Sequence, residues 1–157
     1  MTDQPFTHLD ATGQARMVDV TGKAVTVRAA TAEGLVRCPE PVVALLRSGA
    51  VPKGDVLAVA RIAGIAAAKR TADLLPLAHV IGVHAVEVNL TVVDLGVAVS
   101  ATVRTADRTG VEMEALTAVS VAALAVIDMV KGIDKRVEIE HIALVAKSGG
   151  RSGDWHR

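Results

Sequence analysis

Asp128 and Lys131 stand three residues apart at the end of a long apolar stretch, Ala115 to Ile127 (ALTAVSVAALAVI). On an α-helix that spacing puts them about 60° apart around the axis, on one face. Two readings fit: an ion pair in an exposed last turn, or an acid–base couple at the mouth of a cleft, each charge shifting the other's pKa. Glu112 and Glu114 lie at the opposite end of the same stretch. Thr109-Gly110-Val111-Glu112 has the pattern of a capping box, with the Thr109 hydroxyl on the third backbone N–H and Glu112 reaching back. Glu114 is fourteen residues from Asp128, about 21 Å along an ideal helix. One helix cannot bring both carboxylates to one small substrate. If both act directly, the site combines two subunits; otherwise Glu114 acts indirectly.

Cations recur at separate points. Lys53-Gly54-Asp55 places an amine just ahead of a helix N-terminus, a natural anion site, with Asp55 as the expected N-cap. Lys69-Arg70 is an exposed basic pair of the kind that is usually solvated surface, and it counts here as a candidate only in company with the other cations. Lys147 ends a strand in Lys147-Ser148-Gly149-Gly150, where backbone N–H groups and Arg151 could hold phosphate. His79 follows a helix in Leu77-Ala78-His79-Val80, a place where a lone histidine is either structural or catalytic. Taken together, these residues describe a site for a polyanionic substrate that undergoes proton transfers. There is no phosphate-binding P-loop, no dinucleotide-binding glycine pattern and no closely spaced histidine pair for a transition metal.

The rest of the chain bounds what these groups can serve. Its 157 residues suit a single domain, residues 1–157. Apolar residues make up 51%, yet there is one Phe, one Trp and no Tyr, so the core must be built from small aliphatic side chains. Such helices leave flat apolar faces that favour self-association. Lys and Arg number 17 against 17 Asp and Glu; with no basic excess and no stacking aromatics, nucleic acid is a poor partner. Cys38 is alone, which excludes a disulfide framework and fits a cytoplasmic setting. No secretory signal opens the chain, and Glu112, Glu114 and Asp128 interrupt its longest apolar run, so no membrane span is expected.

Elements that could position the candidate residues follow from periodicity. Residues 1–16 are expected to be loose. Lys23 to Arg37 alternates as a strand, Val42 to Arg47 reads as a short helix, and a longer helix runs from Asp55 to near Leu74-Leu75-Pro76. Val86 to Val92 and Val97 to Val103 alternate on either side of Asp94-Leu95-Gly96, a hairpin with one solvated face. A helix from Gly110 to Lys131 stops at Gly132. A last strand lies within Arg136 to Lys147, and residues 148–157 are expected to form a flexible tail. The order is β-α-β-β-α-β with an extra short helix: an α+β, ferredoxin-like sandwich with helices on an antiparallel sheet.

Several stretches resemble the MoaC family: Met17-Val18-Asp19-Val20, Lys53-Gly54-Asp55, ARIAGIAAAKRT (60–71), Leu75-Pro76-Leu77, TGVEMEALTAVSVAAL (109–124), Asp128-Met129-Val130-Lys131 and AKSGG (146–150). They run in family order and spacing over nearly the whole chain. The resemblance implies a lyase of molybdenum cofactor biosynthesis, a cyclic pyranopterin monophosphate synthase. Such an enzyme converts 3′,8-cyclo-7,8-dihydro-GTP to cyclic pyranopterin monophosphate and releases pyrophosphate. It also implies a homohexamer, a trimer of dimers with sites between subunits. By position, Asp128 is the central acid–base group, Lys131 its catalytic neighbour, and Lys53 and Lys147 bind or polarise substrate. Leu77, Ala78 and His79 line the pterin side, with Glu112, Met113 and Glu114 from the helix start and Lys69 and Arg70 nearby. No cofactor or resident metal is implied, although Mg²⁺ could enter with the triphosphate. One departure stands out: the family's Pro-Leu-Cys-His-Pro is Pro76-Leu77-Ala78-His79-Val80 here, which relaxes the turn that aims His79. The competing readings are a catalytically impaired relative that binds a pterin or nucleotide or pairs with an active subunit, and a pure assembly protein.

Overall fold

The fold is that of a computed structural model, which describes residues 9–10 and 12–157. Residues 1–8 and 11, part of the segment expected to be loose, lie outside the described residues. The elements are β1 (Thr26–Arg37), α1 (Glu40–Ser48), α2 (Val56–Ala68), α3 (Thr71–Leu74), β2 (Ala85–Val93), β3 (Gly96–Asp107), α4 (Glu112–Val130), β4 (Glu138–Ser148) and β5 (Trp155–His156). The sheet is antiparallel throughout, in the order β2-β3-β1-β4-β5. With α2 and α4 against the sheet, this is the ferredoxin-like arrangement expected from the alternation.

Alternation decides which face is covered. Ala30, Ala32 and Val36 of β1, Val97, Val99, Ala101 and Val103 of β3, and Val88 and Leu90 of β2 are buried, and their neighbours in sequence point to the other face. Against them lie Ala115, Ala118, Val119, Ala122, Ala123 and Val126 of α4. Burying a valine contributes about 1.5–3 kcal/mol, so this core holds through many short contacts. It also allows the two helices to approach closely. At Gly64 of α2, an added Cβ would stand 2.9 Å from the Ala118 carbonyl oxygen and 3.2 Å from the Ala122 Cβ. By length and composition α4 could cross a membrane, but half of its apolar window is buried inside this fold.

Four boundaries differ from expectation. β1 begins at Thr26 because Lys23 closes a turn, its N–H donating to the Val20 carbonyl at 3.0 Å. The helix from Asp55 ends at Ala68 and a separate turn, α3, follows. Arg70 N–H bonds back to Ala67, and the Thr71 hydroxyl takes the Ala68 carbonyl at 3.1 Å, tightening the chain out of α-helical register. The stop after α4 is not a left-handed glycine: Gly132 is absent from the positive-φ residues, and Ile133 N–H closes the end on Val130 at 2.8 Å. The tail expected to be flexible folds back instead. Left-handed Gly149 and Gly150 turn the chain so that Trp155 and His156 of β5 pair with Lys147 and Ala146.

Candidate active site

Two groups of candidate residues form, one at each end of α4. At its start lies an open cleft of about 300 Å³. The α3–β2 loop contributes Leu77, Ala78 and His79 to its wall, and the first turn of α4 contributes Glu112, Met113 and Glu114. A third wall comes from Val18, Val20 and Lys23, in an N-terminal segment that is neither helix nor strand. Periodicity could not assign Lys23 to a site, because its carbonyl is held there by Arg108, 85 residues away in sequence.

Glu114 is the unusual group in this cleft. It is 4% exposed, and burial pushes its carboxyl above the ordinary range; a hydrogen bond to its own backbone opposes this, the nearby Glu112 charge adds to it and His79 counters it. A small recess behind His79, of about 30 Å³, also touches Glu114, Lys69 and Val80. His79 Nε2 stands 2.7 Å from the Val18 carbonyl oxygen. A carbonyl only accepts, so Nε2 carries the hydrogen and Nδ1 is the second ring position. The turn before it closes through Ala78 N–H to the Leu75 carbonyl at 3.0 Å, without the family's second proline, while Val80 points to solvent at 92% exposure. His79 is thus aimed by a backbone carbonyl from the N-terminal segment.

The capping box expected at Thr109 is not formed. Val111 is the N-cap and no side chain caps the helix. Glu112 instead folds back over Gly110, where any Cβ would strike its carboxylate, and its Oε1 lies 3.2 Å from Lys147 Nζ. Both side chains are less than a third exposed. Lys147 Nζ also donates to Ser152 Oγ at 2.9 Å. The C-terminal hairpin therefore fixes this cation at the edge of the first turn of α4. Arg28 donates to the carbonyls of Asp107 (3.0 Å) and Arg108 (3.2 Å) in the loop before α4.

At the far end of α4, Asp128 sits between two lysines. Lys131 Nζ is 2.6 Å from Oδ1, and Lys53 Nζ is 3.6 Å from Oδ2. Lys53 also donates to the Asp128 main-chain carbonyl at 2.7 Å, a cation at a helix C-terminus. The Lys131 hydrogen bond and then the two lysine charges hold the Asp128 carboxyl below the ordinary range. Lys53 arrives there because left-handed Gly54 turns the chain and Asp55 caps α2, accepting from Ala58 N–H at 2.9 Å. These three side chains are about half exposed, so the cluster faces solvent, and the direct ion pair is strongly screened. Arg70, exposed, pairs with Asp73 at 3.5 Å and lines neither group. Among the described residues no three His, Cys, Asp or Glu side chains converge on a metal position.

The cleft and the Lys53–Asp128–Lys131 cluster share no residue and stand about 21 Å apart along α4. The sequence profile of the MoaC family matches residues 17–150. A protein of a Nocardioides species named cyclic pyranopterin monophosphate synthase is 58% identical, covering 100% of this chain and 99% of its own length. One of the same name from Streptomyces griseus is 60% identical over 99% of this chain and 88% of its own. A cyclic pyranopterin monophosphate synthase 2 from Mycobacterium bovis is 54% identical over 97% and 91%. With the family profile matched over residues 17–150 and relatives of 54–60% identity along nearly the whole chain, the chain belongs to the MoaC family.

Proposed function

We propose that this protein is a cyclic pyranopterin monophosphate synthase, a lyase converting 3′,8-cyclo-7,8-dihydro-GTP to cyclic pyranopterin monophosphate and pyrophosphate in molybdenum cofactor biosynthesis. The observation that carries this reading is the identity of 54–60% to proteins of that name over nearly the full chain. The geometry fits it. A purine-derived ring that opens and recloses needs groups that give and take protons, and a triphosphate that cyclises with loss of pyrophosphate needs cations on its phosphoryl oxygens.

In this reading Asp128 and Lys131 move protons, and Lys53 and Lys147 polarise or bind the substrate. Leu77, Ala78, His79, Met113 and Glu114 receive the pterin side, and Lys69, at the recess behind His79, adds positive potential beside it; Arg70, paired with Asp73, takes no direct part. The separation of the two groups along α4 supports a site shared between copies of the chain, within a homohexamer built as a trimer of dimers. The chain's own residues do the chemistry without a resident cofactor; any Mg²⁺ arrives as part of the triphosphate substrate. The setting is the cytoplasm, where nucleotide precursors are made.

The test is turnover of purified protein on the cyclic dihydro-GTP substrate, followed by detection of the cyclic pyranopterin phosphate and pyrophosphate. Wild type is expected to form both, and Asp128→Asn and Lys131→Ala to form neither while melting as cooperatively as wild type. A wild-type chain that leaves substrate intact, where the Nocardioides relative consumes it, overturns the reading.

A further inference from the structure

Two walls of the cleft belong to α4 and the α3–β2 loop; the third is far less firmly built. Residues 17–24 belong to no helix or strand, yet Val18, Val20 and Lys23 line the cleft. Inside this strap, Lys23 N–H reaches the Val20 carbonyl at 3.0 Å and Thr21 N–H the Asp19 carboxylate at 2.9 Å. Among the described residues, two hydrogen bonds tie it to the rest of the fold, and both come from side chains. One is His79 Nε2 to the Val18 carbonyl at 2.7 Å; the other is Arg108 Nε to the Lys23 carbonyl at 3.0 Å.

Arg108 is well rooted for such a task. Its N–H donates to the Asp107 carboxylate at 2.7 Å, and its carbonyl accepts from Arg28 at 3.2 Å. It follows β3 directly and stands four residues before Glu112. Its bond to Lys23 therefore spans from the rigid side of the cleft to the strap.

We propose that Arg108 is a positioning residue: it latches residues 17–24 over the cleft as a lid and so fixes where Lys23 presents its charge to an anionic substrate. This rests on the cleft being the substrate site. Two side-chain hydrogen bonds hold the lid shut, each shifting the open–closed ratio roughly five-fold, the equivalent of about 1 kcal/mol. A lid so held opens to admit substrate and closes behind it, and its closed position aligns Lys23.

Three variants separate this role from a direct charge contact. Gln Nε2 stands the same number of bonds from the backbone as Arg Nε, so Arg108→Gln keeps a donor at that place without charge. Arg108→Lys keeps the charge but moves the donor one bond outward from the place of Nε. Two readouts are taken: the rate of tryptic cleavage after Lys23 in the folded protein, and KM and kcat with the cyclic dihydro-GTP. Arg108→Ala is expected to raise the cleavage rate and KM each roughly five-fold, with kcat changed less than about two-fold, and Arg108→Gln to restore both. Unchanged cleavage in Arg108→Ala, or restoration by Lys and not by Gln, overturns the proposal. The cleavage arm needs no substrate, so a chain that fails to turn over still tests the latch. A melt of each variant separates lid opening from global unfolding, and Arg108→Gln keeps the test in hand if Arg108→Ala does not fold.

Discussion

Glu112 and Lys147 meet at 3.2 Å, and this contact joins the first turn of α4 to the end of β4 at the rim of the cleft. A carboxylate in the first turn already complements the helix dipole; pairing it with Lys147 holds a cation beside the cleft at a fixed place. Glu112→Gln is expected to lower stability by no more than about 1 kcal/mol, as partly exposed pairs do. Its kcat/KM should fall by about ten-fold or more, since a cation left unpinned loses its placement. Thermal melts beside turnover assays check the split; equal losses in both would mean that the pair is structural.

Asp128 carries the opposite sign of expectation to Glu114. Its carboxyl is held below the ordinary range, first by the Lys131 hydrogen bond and then by the lysine charges. A depressed folded-state value contributes stability above the ordinary carboxylate range, and that contribution is lost as pH falls through the folded value. The acid limb of the activity profile that reports Asp128 should thus lie below the ordinary aspartate value of about 3.9. Lys131→Ala removes the leading cause and should move the Asp128 titration upward, seen in an NMR titration of its carboxyl beside that of wild type.

Burial raises the Glu114 carboxyl, so its linkage runs the other way. The protonated side chain is fully compatible with the fold below the unfolded-state value, and stability falls as pH rises through the raised folded value. Glu114→Gln removes the penalty of ionising there. Its melting temperature should match wild type at about pH 4, near the ordinary glutamate value, and exceed it at neutral pH. Parallel melting curves at all pH values would show that Glu114 does not titrate with folding.

Gly64→Ala probes the contact that holds the two helices together. The added methyl meets the Ala118 carbonyl oxygen at 2.9 Å, a backbone atom that cannot swing away. Overpacking of this kind costs roughly 1–3 kcal/mol, and the better helix propensity of Ala returns about 1. A net loss of about 1 kcal/mol is expected, read as a lower denaturant midpoint with an unchanged slope. Gly64→Val should lose more.

What could be read along the chain was whatever depends on near neighbours. The alternation of Val86, Val88 and Leu90 set the strand and its buried face; Asp55 announced its helix; Asp128 and Lys131 at i,i+3 paired as the spacing demanded. Contacts between distant residues were not legible. Glu112 has a local pattern that spells a cap, yet Lys147, 35 residues on, competes for its carboxylate and wins. The α2–α3 break has no proline or glycine to signal it; a buried threonine hydroxyl takes a helix carbonyl instead. Residues 148–157 read as a loose tail because glycines signal flexibility as readily as turns, and only the pairing of Trp155 with Lys147 distinguishes the two. Lys23 carried no local signal at all.

The 19 residues of α4 serve as a gauge between the two groups of polar residues. One inserted residue would swing Asp128 by about 100° and advance it about 1.5 Å, away from Lys53, which α2 holds in place. Four would restore the facing to within about 40° but carry it about 6 Å too far. Side-chain replacement along the flanks of this helix is therefore a matter of packing, whereas any change in its residue number dislocates one end from the other. In members of this lineage its length should be invariant even where its composition drifts.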